Sequence, residues 1–189
     1  MSIATGRRRA LILDRDGVIN HDTGYLHRID DCCFTEGIFA MTAAFAARGF
    51  AVVIATNQSG IGRGLYGEAE YTALMDWINA EFGRNGVAIA AAYHCPDHPT
   101  AGIGPYRRDN PWRKPQPGMI LQAAIDLSLD LPRSWTVGDR DSDIAAGRAA
   151  GVGRLVRYDP LAPRVERCED FWVVPRLADV TALLEAEEG

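Results

Sequence analysis

Apolar residues occur along this chain in two alternating patterns. One is a short continuous run, and the other is a longer segment in which apolar and polar residues are mixed. Short, almost wholly apolar runs predict buried strands at residues 9–13, 50–55, 87–93, 134–137, 152–156 and 171–174. Longer segments with apolar residues at helical spacing predict helices at residues 37–48, 68–82, 117–129, 141–150 and 179–187. Strands that alternate with helices form a mainly parallel sheet covered on both faces, so the pattern predicts a three-layer α/β fold.

No internal repeat, low-complexity tract or flexible linker interrupts this pattern, and we expect residues 1–189 to form a single domain. Residues 94–115 hold five prolines and two glycines and are predicted to form an irregular loop. In a parallel sheet of this kind, ligands bind outside the carboxyl ends of the strands. The residues that follow each predicted strand are therefore the candidates for chemistry.

The composition argues against several classes of protein. With 20 basic and 25 acidic residues the net charge is −5, whereas nucleic-acid and membrane-surface binders present a basic face. Four cysteines, two of them adjacent, make no disulfide framework. No apolar run approaches the roughly 20 residues that span a bilayer, and the first is too short for a signal peptide. We expect reduced thiols, no nucleic-acid or membrane partner, and a cytoplasmic location.

Two carboxylates follow the first predicted strand directly. Asp14 and Asp16 stand two residues apart, and Gly17 bends the chain after them. One such carboxylate can attack phosphorus to give an acyl phosphate, while the other protonates the leaving oxygen and then activates water. Acidic turns without any function are common. The pair alone is therefore a weak signal.

The second predicted strand is followed by hydroxyl and amide side chains. These are Thr56, Asn57, Gln58 and Ser59. Such groups can donate hydrogen bonds to the peripheral oxygens of a phosphoryl group. The same residue types also form ordinary turns and helix caps, and in isolation that interpretation is favoured.

The fourth predicted strand is followed by Asp139, Asp141 and Asp143. Mg²⁺ prefers one or two carboxylates together with phosphate and water oxygens. Asp139 is nearest the strand end and is the predicted ligand, whereas Asp143 supports the site from one helical turn later. Asp141 or Ser142 is expected to cap the following helix.

Lys114 is the only lysine among the 20 basic residues of the chain. An ammonium is a compact point charge that can contact a carboxylate and a phosphate oxygen together, whereas a guanidinium is a planar fork. In a chain that uses arginine everywhere else, this exception indicates a function rather than a chance surface residue.

In their order along the chain, these segments resemble the four motifs of the haloacid dehalogenase (HAD) superfamily of phosphatases. The likeness extends over residues 9–155. The matching positions are Asp14-x-Asp16-Gly17, Thr56, Lys114 and Gly138-Asp139-x-x-x-Asp143. The resemblance implies a Rossmann-like fold without a large cap domain. It also implies that Asp14 is the nucleophile, that Asp16 is the general acid and base, and that Thr56 and Lys114 contact the phosphoryl group. Mg²⁺ would be held by Asp14, the Asp16 carbonyl and Asp139.

Longer stretches around these motifs are similar to one family of the superfamily, the D-glycero-D-manno-heptose 1,7-bisphosphate 7-phosphatases. These stretches are residues 13–20, 24–25, 56–61 with 63–64, and 113–119. The resemblance implies that the substrate is a small sugar bisphosphate, with Arg113 able to grip the far phosphate or the sugar. The residues implied to contact substrate are Arg15, Asp22, Thr23, Gly24, Tyr25, Asn57, Gln58, Ser59, Arg113 and Arg140.

One departure from that family concerns a structural zinc, which many members bind through Cys-x-His and Cys-x-Cys in the loop before Arg-Lys-Pro. Here those positions hold Cys95, Asp97, Asn110 and Trp112. A tetrahedral zinc site needs four soft or borderline ligands, and His94 and His98 are too close to Cys95 along the chain to complete one. We predict that loop 94–115 binds no zinc and is held by its prolines and by Tyr106 and Trp112.

Three other functions stay open at this point. Histidinol-phosphate phosphatases share the same motifs. A nucleic-acid 3′-phosphatase shares the Thr-Asn-Gln turn but is disfavoured by the acidic net charge. A non-catalytic binding protein on the same fold is disfavoured because Asp14, Asp16, Lys114 and Asp139 are all intact. We expect a monomer.

Overall fold

The computed structural model describes residues 7–188, and its strands form one seven-stranded sheet in the order β3-β2-β1-β4-β5-β7-β6. All neighbouring strands are parallel except β7 and β6 at one edge. The strands are β1 (Ala10–Leu13), β2 (Ala51–Asn57), β3 (Ile89–Cys95), β4 (Trp135–Gly138), β5 (Arg154–Tyr158), β6 (Glu166–Arg167) and β7 (Trp172–Val174). The predicted α/β fold with a mainly parallel sheet is confirmed.

Helices cover both faces of the sheet. They are α1 (Ile38–Ala47), α2 (Ser59–Gly62), α3 (Glu68–Arg84), α4 (Gly118–Asp126), α5 (Asp141–Ala150) and α6 (Leu177–Glu188). No helix between residues 7 and 188 is both long enough and apolar enough to cross a bilayer. In this part of the chain the longest connections, residues 14–37 and 96–117, carry only short 3₁₀ turns. No large cap domain is inserted there.

The two faces of β1 and β2 belong to different apolar clusters because successive side chains of a strand point to opposite sides. Leu11 and Leu13 pack in the cluster that includes α1, α3 and α6. Ala10 and Ile12 pack in the cluster that includes α4 and α5. The sheet is therefore the middle of three layers, and β1, β2 and β4 are buried almost throughout.

All six predicted strands begin one or two residues later than the apolar runs predict. At three of them the predicted start is an apolar residue that follows a left-handed glycine and donates its backbone N–H to a carbonyl five residues earlier. The three bonds are Phe50 to Phe45, Val87 to Phe82 and Val152 to Gly147. This is the Schellman arrangement, in which the apolar residue closes the preceding helix instead of opening a strand.

Two elements have no counterpart in the prediction. The strand β6 has two exposed residues and pairs only with β7 at the edge of the sheet. The helix α2 has four residues, Ser-Gly-Ile-Gly. Both are too short to show a hydrophobic period.

Candidate active site

A cavity of about 360 Å³ opens at the carboxyl ends of the central strands. Most of the residues that the sequence nominates line it, namely Asp14, Asp16, Asp22, Gly24, Tyr25, Thr56, Asn57, Gln58, Ser59, Arg113, Lys114 and Arg140. The motifs lie far apart in sequence, and the parallel strands bring them to one edge. This edge is where a parallel sheet binds ligands.

Lys114 is buried at the base of this cavity with three acceptors around its ammonium. Nζ lies 2.9 Å from Oδ1 of Asp14, 2.5 Å from Oδ1 of Asp143 and 2.7 Å from the carbonyl of Ala55. Burial alone lowers the pKa of Lys114, but Asp14 and Asp143 raise it above its ordinary value. The ammonium is therefore held in its charged form.

Asn57 fixes the backbone of Lys114. Its Nδ2 donates to the Lys114 carbonyl at 3.0 Å, and its Oδ1 accepts from the Lys114 N–H at 3.0 Å. This reciprocal pair ties the end of β2 to the end of loop 94–115. The Asn57 amide is used for positioning, although the residue also lines the cavity.

Negative charge exceeds positive charge around Asp14. Burial raises the pKa of the Asp14 carboxyl to about 7; Lys114 opposes this shift, and Asp143 and Asp16 add to it. Three carboxylates near one ammonium disfavour full ionisation in a buried site. A divalent cation there relieves the repulsion.

Among the described residues, three carboxylates form the one group that could hold a metal ion. One oxygen each from Asp14, Asp139 and Asp143 lies within 4.8 Å of the others. Oδ1 of Asp139 is buried without a hydrogen-bond partner, and burial, followed by the charge of Asp143, raises the pKa of Asp139 to about 6. An oxygen-only set of this kind fits Mg²⁺.

Two glycines allow these carboxylates to approach. A Cβ at Gly17 would lie 2.3 Å from Oδ2 of Asp139, and a Cβ at Gly138 would lie 2.1 Å from Cβ of Asp143. Gly17 also has φ of +88°, in the left-handed region that favours glycine. Both positions require glycine for steric reasons.

Three neighbouring side chains orient the Asp16 carboxylate. Arg15 donates from Nε and Nη2, Asn20 donates from Nδ2 at 3.0 Å, and Gln58 donates from Nε2 at 2.9 Å. Gln58 is itself fixed, because the Tyr66 hydroxyl donates to its Oε1 at 2.6 Å. A chain of hydrogen bonds thus runs from Tyr66 through Gln58 to Asp16.

Not every nominated side chain reaches the cavity. The guanidinium of Arg15 is fully buried and donates to Asp16 and to the carbonyl of Leu26. Its side chain therefore supports Asp16 instead of lining the cavity. Thr23 is exposed and also lies outside the lining. Asp143 holds Lys114, and its Oδ2 accepts from the backbone of Arg140 at 3.0 Å.

Arg140 carries its own counter-charges. Its Nη2 donates to Oδ2 of Asp22 at 2.6 Å, and its Nε lies 3.7 Å from Oδ2 of Asp139. This pair joins the segment after β4 to the segment after β1 at the rim of the cavity. Asp22 and Arg140 thus limit the cavity on the side of the acidic cluster.

Sequence reasoning missed four lining residues, Gly60, Arg63, Tyr66 and Ser142. The sequence predicts Ser142 only as a helix cap. Arg63 stands in a stretch that resembles the family, but the motif itself indicates no role for this side chain. Tyr66 directly follows Leu65 and looks like an ordinary apolar residue in the sequence. Nothing in the pattern indicates that its hydroxyl reaches Gln58.

Loop 94–115 is held by a buried carboxylate. Asp97 is fully buried, and its Oδ2 accepts from Nε of Arg108 at 2.8 Å and from Nδ2 of Asn110 at 2.5 Å. Its backbone carbonyl accepts from Nη1 of Arg113 at 3.1 Å, and Oδ1 of Asn110 accepts from the backbone of Trp112. The prediction that prolines and aromatic residues hold this loop missed this network.

The loop residues do not fit a zinc ion. His94 Nε2 lies 2.9 Å from Oε2 of Glu68, and Nδ1 of His98 accepts from the backbone of Ala101. With Asp97 bonded to Arg108 and Asn110, these donors face different partners, whereas a structural zinc needs four converging ligands. The absence of zinc stays a prediction.

Comparison with known proteins gives the family. Residues 111–158 match a HAD-hydrolase-like family model. The chain is 50% identical over 160 residues to the D-glycero-α-D-manno-heptose-1,7-bisphosphate 7-phosphatase of Burkholderia mallei, covering 84% of this chain and 85% of that enzyme. It is 39% identical over 182 residues to the D-glycero-β-D-manno-heptose-1,7-bisphosphate 7-phosphatase of Escherichia coli K12, covering 95% of each chain. The chain belongs to the HAD superfamily of phosphatases.

Solved structures of HAD phosphatases share the whole architecture. The D,D-heptose 1,7-bisphosphate phosphatase of B. bronchiseptica, crystallised with magnesium and phosphate, has a TM-score of 0.79 at 29% identity. The match covers 95% of this chain and 99% of that one. A HAD-like phosphatase structure from Mesorhizobium loti has a TM-score of 0.85 at 34% identity, covering 95% and 87%. The resemblance to this superfamily that the motifs indicate is confirmed.

Proposed function

We propose that this HAD phosphatase removes the 7-phosphate of D-glycero-D-manno-heptose 1,7-bisphosphate through a Mg²⁺-dependent reaction with an aspartyl-phosphate intermediate. The observation that carries the proposal is the convergence of Asp14, Asp16, Lys114 and Asp139 at one edge of the sheet. The substrate is supported by relatives that are heptose-1,7-bisphosphate 7-phosphatases.

In the first step the Asp14 carboxylate attacks phosphorus and the bond from phosphorus to the sugar oxygen breaks. Oδ1 of Asp14 pairs with Lys114 and accepts from the backbone of Arg15 at 2.8 Å, so Oδ2 is the attacking oxygen. Asp16 gives its proton to the leaving sugar oxygen. The products of this step are heptose 1-phosphate and phosphorylated Asp14.

In the second step Asp16 takes a proton from a water molecule, which attacks the phosphorus of the aspartyl phosphate. The bond between Asp14 and phosphorus breaks, and inorganic phosphate leaves. Both carboxyl groups return to their starting states, so the cycle balances.

Thr56 and Lys114 stabilise the charge on the phosphoryl oxygens. Oγ1 of Thr56 accepts from Gln58 Nε2 at 2.9 Å, which leaves its own O–H free to donate to the phosphate. Asp14, the Asp16 carbonyl and Asp139 would hold Mg²⁺, which would supply positive charge to offset the negative charge of the nucleophile and the phosphate. Positioning and electrostatics provide most of the rate enhancement in phosphoryl transfer.

The rest of the cavity suits a small polar substrate. Asp22, Gly24, Tyr25, Ser59, Arg113 and Arg140 supply donors and acceptors for the sugar and its second phosphate. A cavity of this size encloses one small ligand. We infer that the chain works as a single domain and a monomer in the cytoplasm.

A substrate panel with Mg²⁺ tests the proposal. The panel contains both anomers of heptose 1,7-bisphosphate, histidinol phosphate and a 3′-phosphorylated oligonucleotide. We expect kcat/KM to be highest for one heptose bisphosphate anomer. Similar low rates on every compound, or a preference for histidinol phosphate, would contradict the assigned substrate.

A further inference from the structure

Two arginines of the cavity have no acidic partner in the described part of the chain. The other charged groups of the lining are paired: Lys114 with Asp14, Asp16 with Arg15, and Arg140 with Asp22. Within residues 7–188, neither Arg63 nor Arg113 forms an ion pair with a carboxylate, yet both line the cavity. The positive charge of the pair is therefore available to an anionic ligand.

Arg63 follows α2 directly, and its side chain is only partly exposed. Its Nε is buried without a hydrogen-bond partner, which costs free energy unless a ligand supplies the acceptor. The guanidinium lies over the ring of Tyr25 at 5.7 Å from the centroid, within the range of a cation–π contact. Tyr25 itself has φ of +54°, a strained conformation for a bulky residue.

Arg113 donates one hydrogen bond, from Nη1 to the carbonyl of Asp97, so most of its donors remain free. Burial lowers the pKa of Arg113, and the nearby charge of Arg63 lowers it further against the opposing effect of Cys95. Burial likewise lowers the pKa of His98, with Arg113 and Arg63 adding to the shift. In both residues the part of the shift that burial does not cause includes repulsion from a neighbouring arginine, so Arg63 and Arg113 bring positive charge to this end of the site.

One loop positions both arginines. The backbone N–H of Ile103 donates to the Gly62 carbonyl at 2.7 Å, and a Cβ at Gly62 would lie 2.3 Å from the carbonyl of Pro96. The end of α2, from which Arg63 projects, is thus packed closely on the loop whose Asp97 carbonyl orients Arg113. Backbone contacts thus fix the chain at the base of Arg63 relative to the loop that carries Arg113.

We propose that Arg63 acts with Arg113 as the binding site for the phosphate that stays on the substrate, and that Arg63 selects bisphosphates over monophosphates. This inference rests on the proposed function. A phosphate dianion offers the several oxygens that two guanidinium groups can bind at once, and such charge-assisted hydrogen bonds are strong. The buried Nε of Arg63 gains the acceptor that the protein does not provide.

The test compares Arg63→Gln with Arg107→Gln. Arg107 is an exposed residue of the same loop, outside the cavity lining, and its replacement makes the same change in charge. The measured quantity is kcat/KM for heptose bisphosphate divided by kcat/KM for 4-nitrophenyl phosphate, which has one phosphate. For Arg63→Gln we expect this ratio to fall about 10- to 100-fold, the effect of losing hydrogen bonds to a charged group. Arg107→Gln should leave it unchanged.

An unchanged ratio in Arg63→Gln would overturn the inference, whether both activities persist or both fall by the same factor. Turnover of 4-nitrophenyl phosphate by each variant shows that the protein is folded. Failure of the proposed substrate looks different, because the wild-type enzyme would then show no preference for the bisphosphate. If the wild-type enzyme prefers the bisphosphate and Arg63→Gln keeps this preference, only the role of Arg63 is contradicted.

Discussion

Lys114 is the residue on which most of the site geometry depends. Its ammonium contacts two carboxylates and a carbonyl in a space that is almost closed to solvent. The sequence identifies it because it is the single lysine among arginines. The structure supplies the reason, since three acceptors converge on one point, which suits an ammonium and not a planar guanidinium.

Lys114→Arg should therefore be severely impaired although it keeps the charge. We expect kcat to fall by at least about 100-fold, because a misplaced catalytic group of this kind costs that much. Steady-state kinetics with 4-nitrophenyl phosphate measures the loss, and the reverse exchange at an exposed position, Arg133→Lys, is the control. Activity within a few-fold of wild type would show that charge alone suffices.

Tyr66 carries a prediction about the general acid. Tyr66→Phe removes the hydroxyl that fixes Gln58, and Gln58 in turn orients Asp16. We expect kcat/KM on heptose bisphosphate, which reports the first chemical step, to fall about 3- to 10-fold, roughly the value of one hydrogen bond. The same constant for 4-nitrophenyl phosphate should change little, because nitrophenolate leaves without a proton and the second step, which needs Asp16 with either substrate, does not enter this constant.

The control for Tyr66→Phe is Tyr93→Phe, which removes a hydroxyl bonded to Asp126 outside the cavity. Equal losses on both substrates in Tyr66→Phe would mean that the tyrosine stabilises the fold and has no specific link to Asp16.

At the residue scale the sequence indicates where the cavity lies but not which way each side chain points. Asp14, Thr56 and Lys114 are predictable because each follows or precedes a recognisable element. Arg15 points away from the cavity and Arg63 points into it. Side-chain direction depends on tertiary packing that a short motif does not encode.

At the scale of elements, the alternation of strands and helices is readable, but all six predicted strand starts are one or two residues early. Phe50, Val87 and Val152 belong to apolar runs, yet they close the helices before them. The preceding glycines carry the information, because a helix that ends on a left-handed glycine commonly places an apolar residue next. The strand begins only after that residue.

Loop 94–115 is the element for which sequence reasoning was least complete. The sequence shows that the zinc ligands are absent. It does not show the hydrogen bonds that hold the loop instead, because these join Asp97 to residues 11 and 13 positions later. Buried carboxylates need such partners. The same residue that departs from the zinc pattern organises the loop.

Asp97→Ala should loosen the loop and displace Arg113. We expect unfolding to become easier by about 1–3 kcal/mol, since Asn110 and Arg108 lose their shared acceptor, and KM for the bisphosphate to rise more than kcat falls. Chemical denaturation and steady-state kinetics measure the two effects. Asp109→Ala, at an exposed neighbouring position, is the control, and equal behaviour of the two variants would contradict the role of Asp97.

The loop also carries the zinc prediction. Protein produced with added zinc and purified without chelator should contain far less than one zinc per chain by elemental analysis. The physical reason is that Asp97, His94 and His98 already have hydrogen-bond partners pointing in different directions. A stoichiometric zinc that is released only on unfolding would prove the prediction wrong.

At the scale of the whole molecule, the acidic cluster links stability to pH and metal. In the metal-free protein the pKa values of Asp14 and Asp139 are raised to about 7 and about 6. Between about pH 4 and pH 7 the folded protein therefore holds protons that the unfolded chain has lost. Stability of the metal-free protein should fall as pH rises through this window.

Mg²⁺ should reverse this loss because it binds the ionised carboxylates of the folded state. At Mg²⁺ about 100-fold above its Kd, the gain of about 2.7 kcal/mol corresponds to a Tm increase of about 5–10 °C for a chain of this size. The increase should shrink as the pH falls below about 7, because protons then compete with Mg²⁺ for Asp14 and Asp139. Thermal unfolding with and without Mg²⁺ across pH measures it.

Asp139→Asn should abolish the Mg²⁺-dependent rise in Tm, whereas Asp141→Asn, whose side chain is 87% exposed, should retain it. A rise of the same size in both variants would place the metal elsewhere.

The sheet explains why the sequence predicts this site as well as it does. Segments that follow parallel strands must meet at one edge, so Asp14, Thr56 and Asp139 converge once β1, β2 and β4 are adjacent. The order of the strands and the edge pair β6–β7 could not be read, because short exposed strands have no distinctive pattern. Convergence at the site is thus a consequence of topology.

The most direct test of the account is to trap the phosphorylated enzyme. In Asp16→Asn the general base is lost, while 4-nitrophenyl phosphate still supplies a leaving group that needs no proton. We predict a stoichiometric burst of nitrophenolate, and acid quenching followed by peptide mass spectrometry should find one phosphoryl group on Asp14. Nitrophenolate release with no phosphoryl group on Asp14, in both this variant and the wild type, would contradict the central claim.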